Sequence, residues 1–586
     1  MGEFADIFSN TWAFALVMLF FGGSIFVHEL GHFLAARMRG LKILRFSIGF
    51  GPKLFSAKGR DGCEYIISLL PFGGYVALPQ LADMGALEGG KGGETEKLPK
   101  ASCADKIIVS AAGAFFNLLF AAALAAIVWV MGIKQSAAME STTVGFVANE
   151  ITDVDGNKHE SPAKLAGLRE GDKIVSIDGR KVGDFSQIVE LVAIGSGRDA
   201  DGKPSASLEI GRDGKILNVK INPILIKTNV STGDEIRMIG VSPAAPMTVG
   251  KIMPNSPAEK AGIKVGDEVV GIDGRRIFSN AQLGAYLDSL KDGATVKLEI
   301  LRGGAKTEIS AKPQRVKLTK SLATLEIPDE KGSVSFMVSN RKNPKSDTGL
   351  LKVFSVKRGA EVFDKFAVGD TLYALDGREI NSLARLEAAI NGAKTRSRLD
   401  MLGPQMYDVS MPISAKAEIE PPQTRNMIGY MLAPSTITAH PTIAEQFGDS
   451  LSRTYNALSS LVNPKSDVGI KSLAGPVDIG RVIYKLSLTD FALVLSFAVL
   501  LNVNLAILNM LPIPVLDGGH ILFALLEKLR GKPLPPSFFA AVQGGFSVML
   551  LALMAFVVYN GFMRWSGDSK LESGENSEYY LNEIKF

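Results

Sequence analysis

His28-Glu29-Leu30-Gly31-His32 lies inside an apolar run from about Trp12 to Ala36. The run is long enough to cross a bilayer as a helix. On a helix, positions four apart share a face, so both imidazoles can reach one metal ion. Glu29 projects beside them, where it can take a proton from water held at that metal. Ionisable groups are costly inside an apolar span, at least about 2.5 kcal/mol for a charged one. Histidine is also scarce, with 5 in 586 residues. The competing structural reading is a buried, hydrogen-bonded histidine pair.

Three further runs are apolar enough to span: about Ile107–Met131, Phe491–Met510 and Phe538–Tyr559. The segment before the first run carries Glu3 and Asp6 and no Lys or Arg, the wrong charge for a signal peptide, so the run reads as a retained helix. Arg37, Arg39, Lys42, Arg45, Lys53, Lys58 and Arg60 follow it, and Lys528, Arg530 and Lys532 separate the last two runs. Positive residues close to span ends mark the cytoplasmic side. Both termini and the long middle segment, about 132–487, are then expected on the outer side of the membrane. Arg481 and Arg564 would sit near outer ends, against the trend.

Composition agrees with a mixture of membrane and soluble parts. The chain is 46% hydrophobic and 21% charged, with net charge +4, and its mean hydropathy is +0.18. That charge on this length does not suggest a nucleic-acid partner. Two cysteines, Cys63 and Cys103, exclude a disulfide scaffold and a cysteine-rich zinc module.

The middle segment repeats itself. Ser161-Pro-Ala-Lys-Leu-Ala-Gly-Leu-Arg-Glu-Gly-Asp172 through Asp178-Gly-Arg180 is matched by Ser256-Pro-Ala-Glu-Lys-Ala-Gly-Ile-Lys-Val-Gly-Asp267 through Asp273-Gly-Arg275. A weaker third copy ends Val368-Gly-Asp-Thr-Leu-Tyr-Ala-Leu-Asp-Gly-Arg378. Each reads as a short helix, a Gly-Asp turn, a strand and an Asp-Gly hairpin turn. The pattern resembles PDZ domains of the bacterial protease type. The resemblance implies binding of peptide termini by strand addition; the competing reading is a spacer or size filter. Gly145 and Gly250 are weak candidates for the carboxylate-binding loop.

The third span ends in Asn504-Leu-Ala-Ile-Leu-Asn509-Met-Leu-Pro512-Ile-Pro514-Val-Leu-Asp517-Gly-Gly-His520. Pro512 and Pro514 should stop the helix at membrane depth. Broken backbone there must be buried or line a wet cavity. Asp517 is then an intramembrane carboxylate with no obvious basic partner, and a metal is the natural one. His520 is a weaker ligand candidate, because a catalytic zinc keeps one position open.

The HELGH motif, the Asn-Pro-Pro-Asp-Gly constellation and the PDZ-like copies between them resemble the site-2 protease family of intramembrane zinc metalloproteases. Pro71-Phe-Gly-Gly-Tyr-Val76, Gly113-Ala-Phe-Phe-Asn117 and Leu473-Ala-Gly-Pro476 strengthen the resemblance, which covers nearly all of 10–565. It implies Zn2+ held by His28, His32 and Asp517, with Glu29 as the base. It also implies a substrate-contacting region that includes Asn504, Asn509, Pro512, Pro514, Gly73 and Gly74. The implied substrates are transmembrane segments of single-span membrane proteins, such as anti-sigma factors or remnant signal peptides. A third PDZ-like copy and the polar tail from about Ser566 depart from the family pattern.

The expected fold class is a multi-domain membrane protein: a four-span α-helical transmembrane core with a membrane-associated β-hairpin, plus α+β PDZ-like domains. The expected segments are a first span over 1–36, a basic loop with the hairpin over 37–106 and a second span over 107–131. PDZ-like copies follow over 132–235, 236–325 and 326–425, then a linker with an amphipathic helix over 426–487. A third span over 488–517, a cytoplasmic helix with the fourth span over 518–564 and a tail over 565–586 complete the chain. Two other functions compete. A non-catalytic scaffold would not need His, Glu, His and an intramembrane Asp. A metal transporter would need polar groups along a path across the bilayer, whereas the second and fourth spans are almost wholly apolar.

Overall fold

The computed structural model describes residues 11–81 and 101–575, apart from 155–156, 230–231, 318–321, 329, 331, 343–348, 358–359, 367–369, 403–405 and 421–423. The chain divides into two compact units. One contains the residues up to 135 with 437–464 and 469–562; the other contains 136–436, 465–468 and the residues from 563.

The four expected spans are helices, over Ala15–Met38, Cys103–Met131, Phe491–Asn509 and Ser537–Trp565. The first is not uniform. A π-helical turn, Met18–Gly22, precedes α1 (Gly23–Met38). Such turns free a carbonyl from the regular ladder; here Ser24 Oγ donates to Phe20 O at 2.6 Å. The chain then forms β1 (Arg45–Lys58) and β2 (Glu64–Ala77). This ribbon folds back on itself, so that residues 45–48 pair with 64–67 on one side and with 74–77 on the other.

Helix α2 (Cys103–Met131) begins four residues before the expected start at 107. The cause is a capping box: Asp105 N donates to Ser102 Oγ at 3.1 Å, and Ser102 N to Asp105 Oδ2 at 3.0 Å. Helices α3 (Ile443–Val462) and α4 (Pro476–Thr489) follow. Helix α5 (Phe491–Asn509) packs on α2 and α3. It stops at Asn509, within a residue of the expected span end at Met510 and before the two prolines, inside the expected segment 488–517. Residues 510–516 form a turn holding Pro512 and Pro514, and Asp517 opens α6 (Asp517–Arg530). Proline lacks the N–H that a helix needs, which accounts for the stop. The last helix, α7 (Pro536–Glu575), continues past the fourth span. Residues of the expected tail beyond 575, and 82–100 of the basic loop, lie outside the described residues.

The second unit repeats one topology. In the first copy the strand order is Lys215–Ile221, Ala206–Arg212, Lys173–Ile177, Arg180–Lys181; in the second it is Ala305–Ala311, Val296–Arg302, Glu268–Ile272, Arg275–Arg276. Helix Phe185–Ala193 buries Phe185, Ile188 and Val192, and helix Asn280–Asp288 buries Leu283 and Leu287, in the respective cores. The repeated Gly-Asp turn has a structural use. Asp172 accepts two bonds from Arg212, both at 2.6 Å, and Asp267 accepts two from Arg302 at 2.8 and 2.7 Å. The arginine also donates to a carbonyl of the preceding turn, Gly167 O or Gly262 O. In the third copy Tyr407 donates to Asp370 instead.

The third copy extends the same order, Met406–Met411, Ser397–Leu402, Thr371–Leu375, Arg378–Glu379, by four more strands. It is carried on a ribbon of the second copy, because Gln314–Lys317 pairs with Thr424–Met427. Tyr430–Leu432 then pairs with Val249–Ile252, and Ile428 enters the second copy's core. Residues 426–432, at the start of the expected linker, are therefore strand and core of the second copy. Gly145 and Gly250 face neighbouring backbone: a Cβ on either would meet Pro243 O at 2.2 Å or Ala433 N at 2.7 Å. Their smallness serves this close approach of neighbouring backbone.

Candidate active site

Helix α1 crosses α2 at very short range. A Cβ on Gly31 would lie 2.5 Å from Ala112 O, so only glycine allows this approach. The crossing faces His28 and His32 toward α2, with 9% and 2% of each residue exposed. Their Nε2 atoms are 3.1 Å apart. Asp517, from the first turn of α6, completes the group: Oδ2 lies 3.2 Å from His28 Nε2, and Oδ1 lies 3.5 Å from His32 Nε2.

Asp517 reaches this position because two glycines follow it. A Cβ on Gly518 would meet Leu511 O at 2.3 Å, and one on Gly519 would meet Ile513 O at 2.2 Å. The start of α6 is thus pressed against the proline turn, and the carboxylate is carried to the histidines. His32 is oriented from behind by its Nδ1, which donates to Val109 O at 2.7 Å. In the neutral ring that bond leaves Nε2 as the unprotonated nitrogen, directed at the shared point. Gly113 provides the room: a Cβ there would come 2.5 Å from His32 Nε2 and 2.6 Å from His28 Cε1.

These residues fit a catalytic metal. Two imidazoles and one carboxylate, all within 4.8 Å of one another, are the donor set of a zinc site with one position left open. Asp517 Oδ2 is buried without a hydrogen-bond partner, which a cation would supply. His520 is outside this group.

The other candidates divide. Glu29 lies against the hairpin: a Cβ on Gly74 would be 2.8 Å from Glu29 Cγ and 2.8 Å from Ser47 O. Gly73, at φ 108°, holds a conformation that favours glycine. Asn509 Nδ2 is 3.4 Å from His28 Nε2. Asn504 instead accepts a hydrogen bond from Thr454 on α3. Pro512 is exposed and Pro514 half-buried in the turn. Sequence reasoning did not find the roles of Val109, Gly518 and Gly519. A backbone carbonyl carries no residue signature, and the glycine pair reads equally well as a helix start.

The profile of Peptidase family M50 matches residues 15–553. The chain belongs to peptidase family M50. It is accordingly an intramembrane zinc metalloprotease, with His28, His32 and Asp517 as its candidate metal site. A Pasteurella multocida protein named "Putative zinc metalloprotease" is 26% identical over 95% of this M50 chain and 100% of its own length. The regulator of sigma E protease of Haemophilus influenzae is 23% identical, over 95% and 100%. The regulator of sigma-E protease of Escherichia coli is 24% identical, over 95% and 99%. Among solved structures, a PDZ domain of an SdrC-like protein from Listeria monocytogenes is 26% identical, over 13% of this chain and 75% of that one, with a TM-score of 0.12.

Proposed function

We propose that this M50 protease cuts transmembrane segments of single-span membrane proteins, with anti-sigma factors and remnant signal peptides as the substrate types. The observation that carries the reading is the place of the cluster. Two ligands and the base stand on a helix apolar enough to span, and the third ligand follows the end of a second such helix. A soluble protease has no need to bury its chemistry there.

A bound Zn2+ supplies Lewis acidity and lowers the pKa of water at the site to about 7. Glu29 accepts the proton of the attacking water and delivers it to the leaving amine. Asn509, whose amide stands next to the metal-facing nitrogen of His28, donates to the developing oxyanion or to the substrate backbone. Asn504, bonded to Thr454, tethers α5 to α3 in this scheme.

A substrate helix must unwind before its carbonyls can be attacked. The hairpin offers the receiving edge. Residues 74–77 pair on one side with 45–48, and among the described residues no strand pairs with the other side. Gly74, beside Glu29, sits on this edge. An extended substrate strand added there places its backbone next to the base. Gly73 and Gly74 keep the edge free of side chains, and Pro512 and Pro514 contact substrate from the turn that precedes Asp517. The PDZ-like copies capture peptide termini or restrict the size of what reaches the site.

The positive residues near the span ends support an orientation with the hairpin loop and residues 528–532 in the cytoplasm, and both termini and the PDZ-like copies in the periplasm of a bacterial inner membrane. Cleavage of a single-span reporter by purified protein, with and without Glu29→Gln, tests the mechanism. Loss of cleavage with zinc retained is expected; undiminished cleavage overturns it. Metal analysis of Asp517→Ala tests the third ligand, and full zinc occupancy there counts against it.

A further inference from the structure

Val109, Gly113 and Asn117 are spaced by four along α2 and share the face toward the two histidines. Val109 orients His32 and Gly113 provides room. Packing alone does not explain Asn117. It is fully buried, its Oδ1 has no hydrogen-bond partner, and its Nδ2 lies 3.3 Å from His28 Nδ1.

That pairing conflicts with the rest of the site. An amide N–H donated to Nδ1 requires an unprotonated Nδ1, so the ring proton sits on Nε2. Yet Nε2 is the nitrogen that faces Asp517 and His32. A protonated nitrogen cannot ligate a metal. The two ends of an amide are nearly the same in shape, and their assignment follows from the hydrogen-bond network. Turning the Asn117 amide end for end removes both faults. Oδ1 then accepts from His28 Nδ1–H, the unpartnered oxygen is satisfied, and Nε2 is free for the metal.

We propose that Asn117 is a positioning residue for the metal ligand His28: its side-chain oxygen accepts the Nδ1 proton and so fixes which nitrogen faces the metal. The proposal rests on the zinc metalloprotease reading. The two ligands are then oriented from one helix by two different acceptors, a backbone carbonyl for His32 and a side-chain amide for His28. Acceptors of this kind typically change metal affinity by about 10- to 100-fold.

The test is zinc affinity of the purified full chain, by competition with a chelating dye. Asn117→Leu keeps the volume and removes the acceptor; Asn117→Asp keeps an acceptor. The Leu variant should bind zinc about tenfold or more weakly, and the Asp variant within about threefold of the parent. Should the Leu variant not fold, Asn117→Ala makes the same comparison. Parental affinity without the acceptor, or equal loss in the Asp variant, overturns the proposal. If the parent itself holds no zinc, the metalloprotease reading fails and this proposal fails with it. Zinc in the parent with an unchanged Leu variant refutes this proposal alone.

Discussion

Gly113 stands where a single methyl group would come 2.5 Å from His32 Nε2. The metal-facing nitrogen therefore fits only because α2 has no side chain at that point.

Gly113→Ala should therefore empty the site without unfolding the helices. Alanine favours helix by about 1 kcal/mol over glycine, so the helix itself loses nothing. The expected result is a zinc-to-protein ratio well below the parent's, with unchanged helical circular dichroism. A fully loaded Gly113→Ala protein would show that the histidines have other room.

Gly74→Ala should separate catalysis from metal binding. The added methyl meets Glu29 Cγ and Ser47 O, each at 2.8 Å. Displacing a base by about 1 Å can cost on the order of 100-fold in rate. We expect a loss of that order in kcat with zinc content unchanged. A loss of zinc instead would place Gly74 in the support of the metal.

The second PDZ-like copy should weaken in acid. The bonds from Arg302 hold the Asp267 carboxyl below its ordinary range, against the opposing effect of burial. Its folded value is depressed, so its contribution to stability is complete above the unfolded value of about 3.9. The contribution is lost as pH falls through the lower, folded value. Protease accessibility of 245–317 should rise over that window, and Asp267→Asn should make the rise shallower. An identical pH profile in the variant would remove Asp267 as the cause.

The third copy closes its own strand edge. Asn391 Nδ2 donates to Ala417 O at 2.7 Å, Ala417 N donates to Asn391 Oδ1 at 2.8 Å, and Ile419 N donates to Glu387 Oε1 at 3.2 Å. Two residues on the helix Leu383–Asn391 thus occupy the positions of a paired strand. Asn391→Ala removes two bonds, each worth about 1 kcal/mol net. Hydrogen exchange at Ala417 should speed up markedly, while Leu325 on the neighbouring strand keeps its protection. Unchanged exchange at Ala417 would show that the edge is protected by something else.

The chemistry was more legible than its supports. His28, Glu29 and His32 declare themselves by helical spacing, and Asp517 by its position after two prolines in an apolar run. Asn504 and Asn509 could not be ranked from sequence. They lie five residues apart, about 140° around a helix, and only the neighbours of α5 show which faces His28. Val109 contributes a carbonyl, which any residue has. The return of Tyr430–Leu432 to Val249–Ile252 was hidden for another reason. The pairing spans an entire inserted copy, and local strand signals carry no record of such distant partners.

That insertion has an evolutionary and practical consequence. Lys317 and Thr424 already face each other as the last pair of a two-stranded ribbon. Everything between them is a detour that begins and ends at neighbouring points. A two-residue turn could replace 318–423 and leave every strand of the second copy in register. The third copy can therefore be gained or lost as a cassette, with neither event requiring its host to refold.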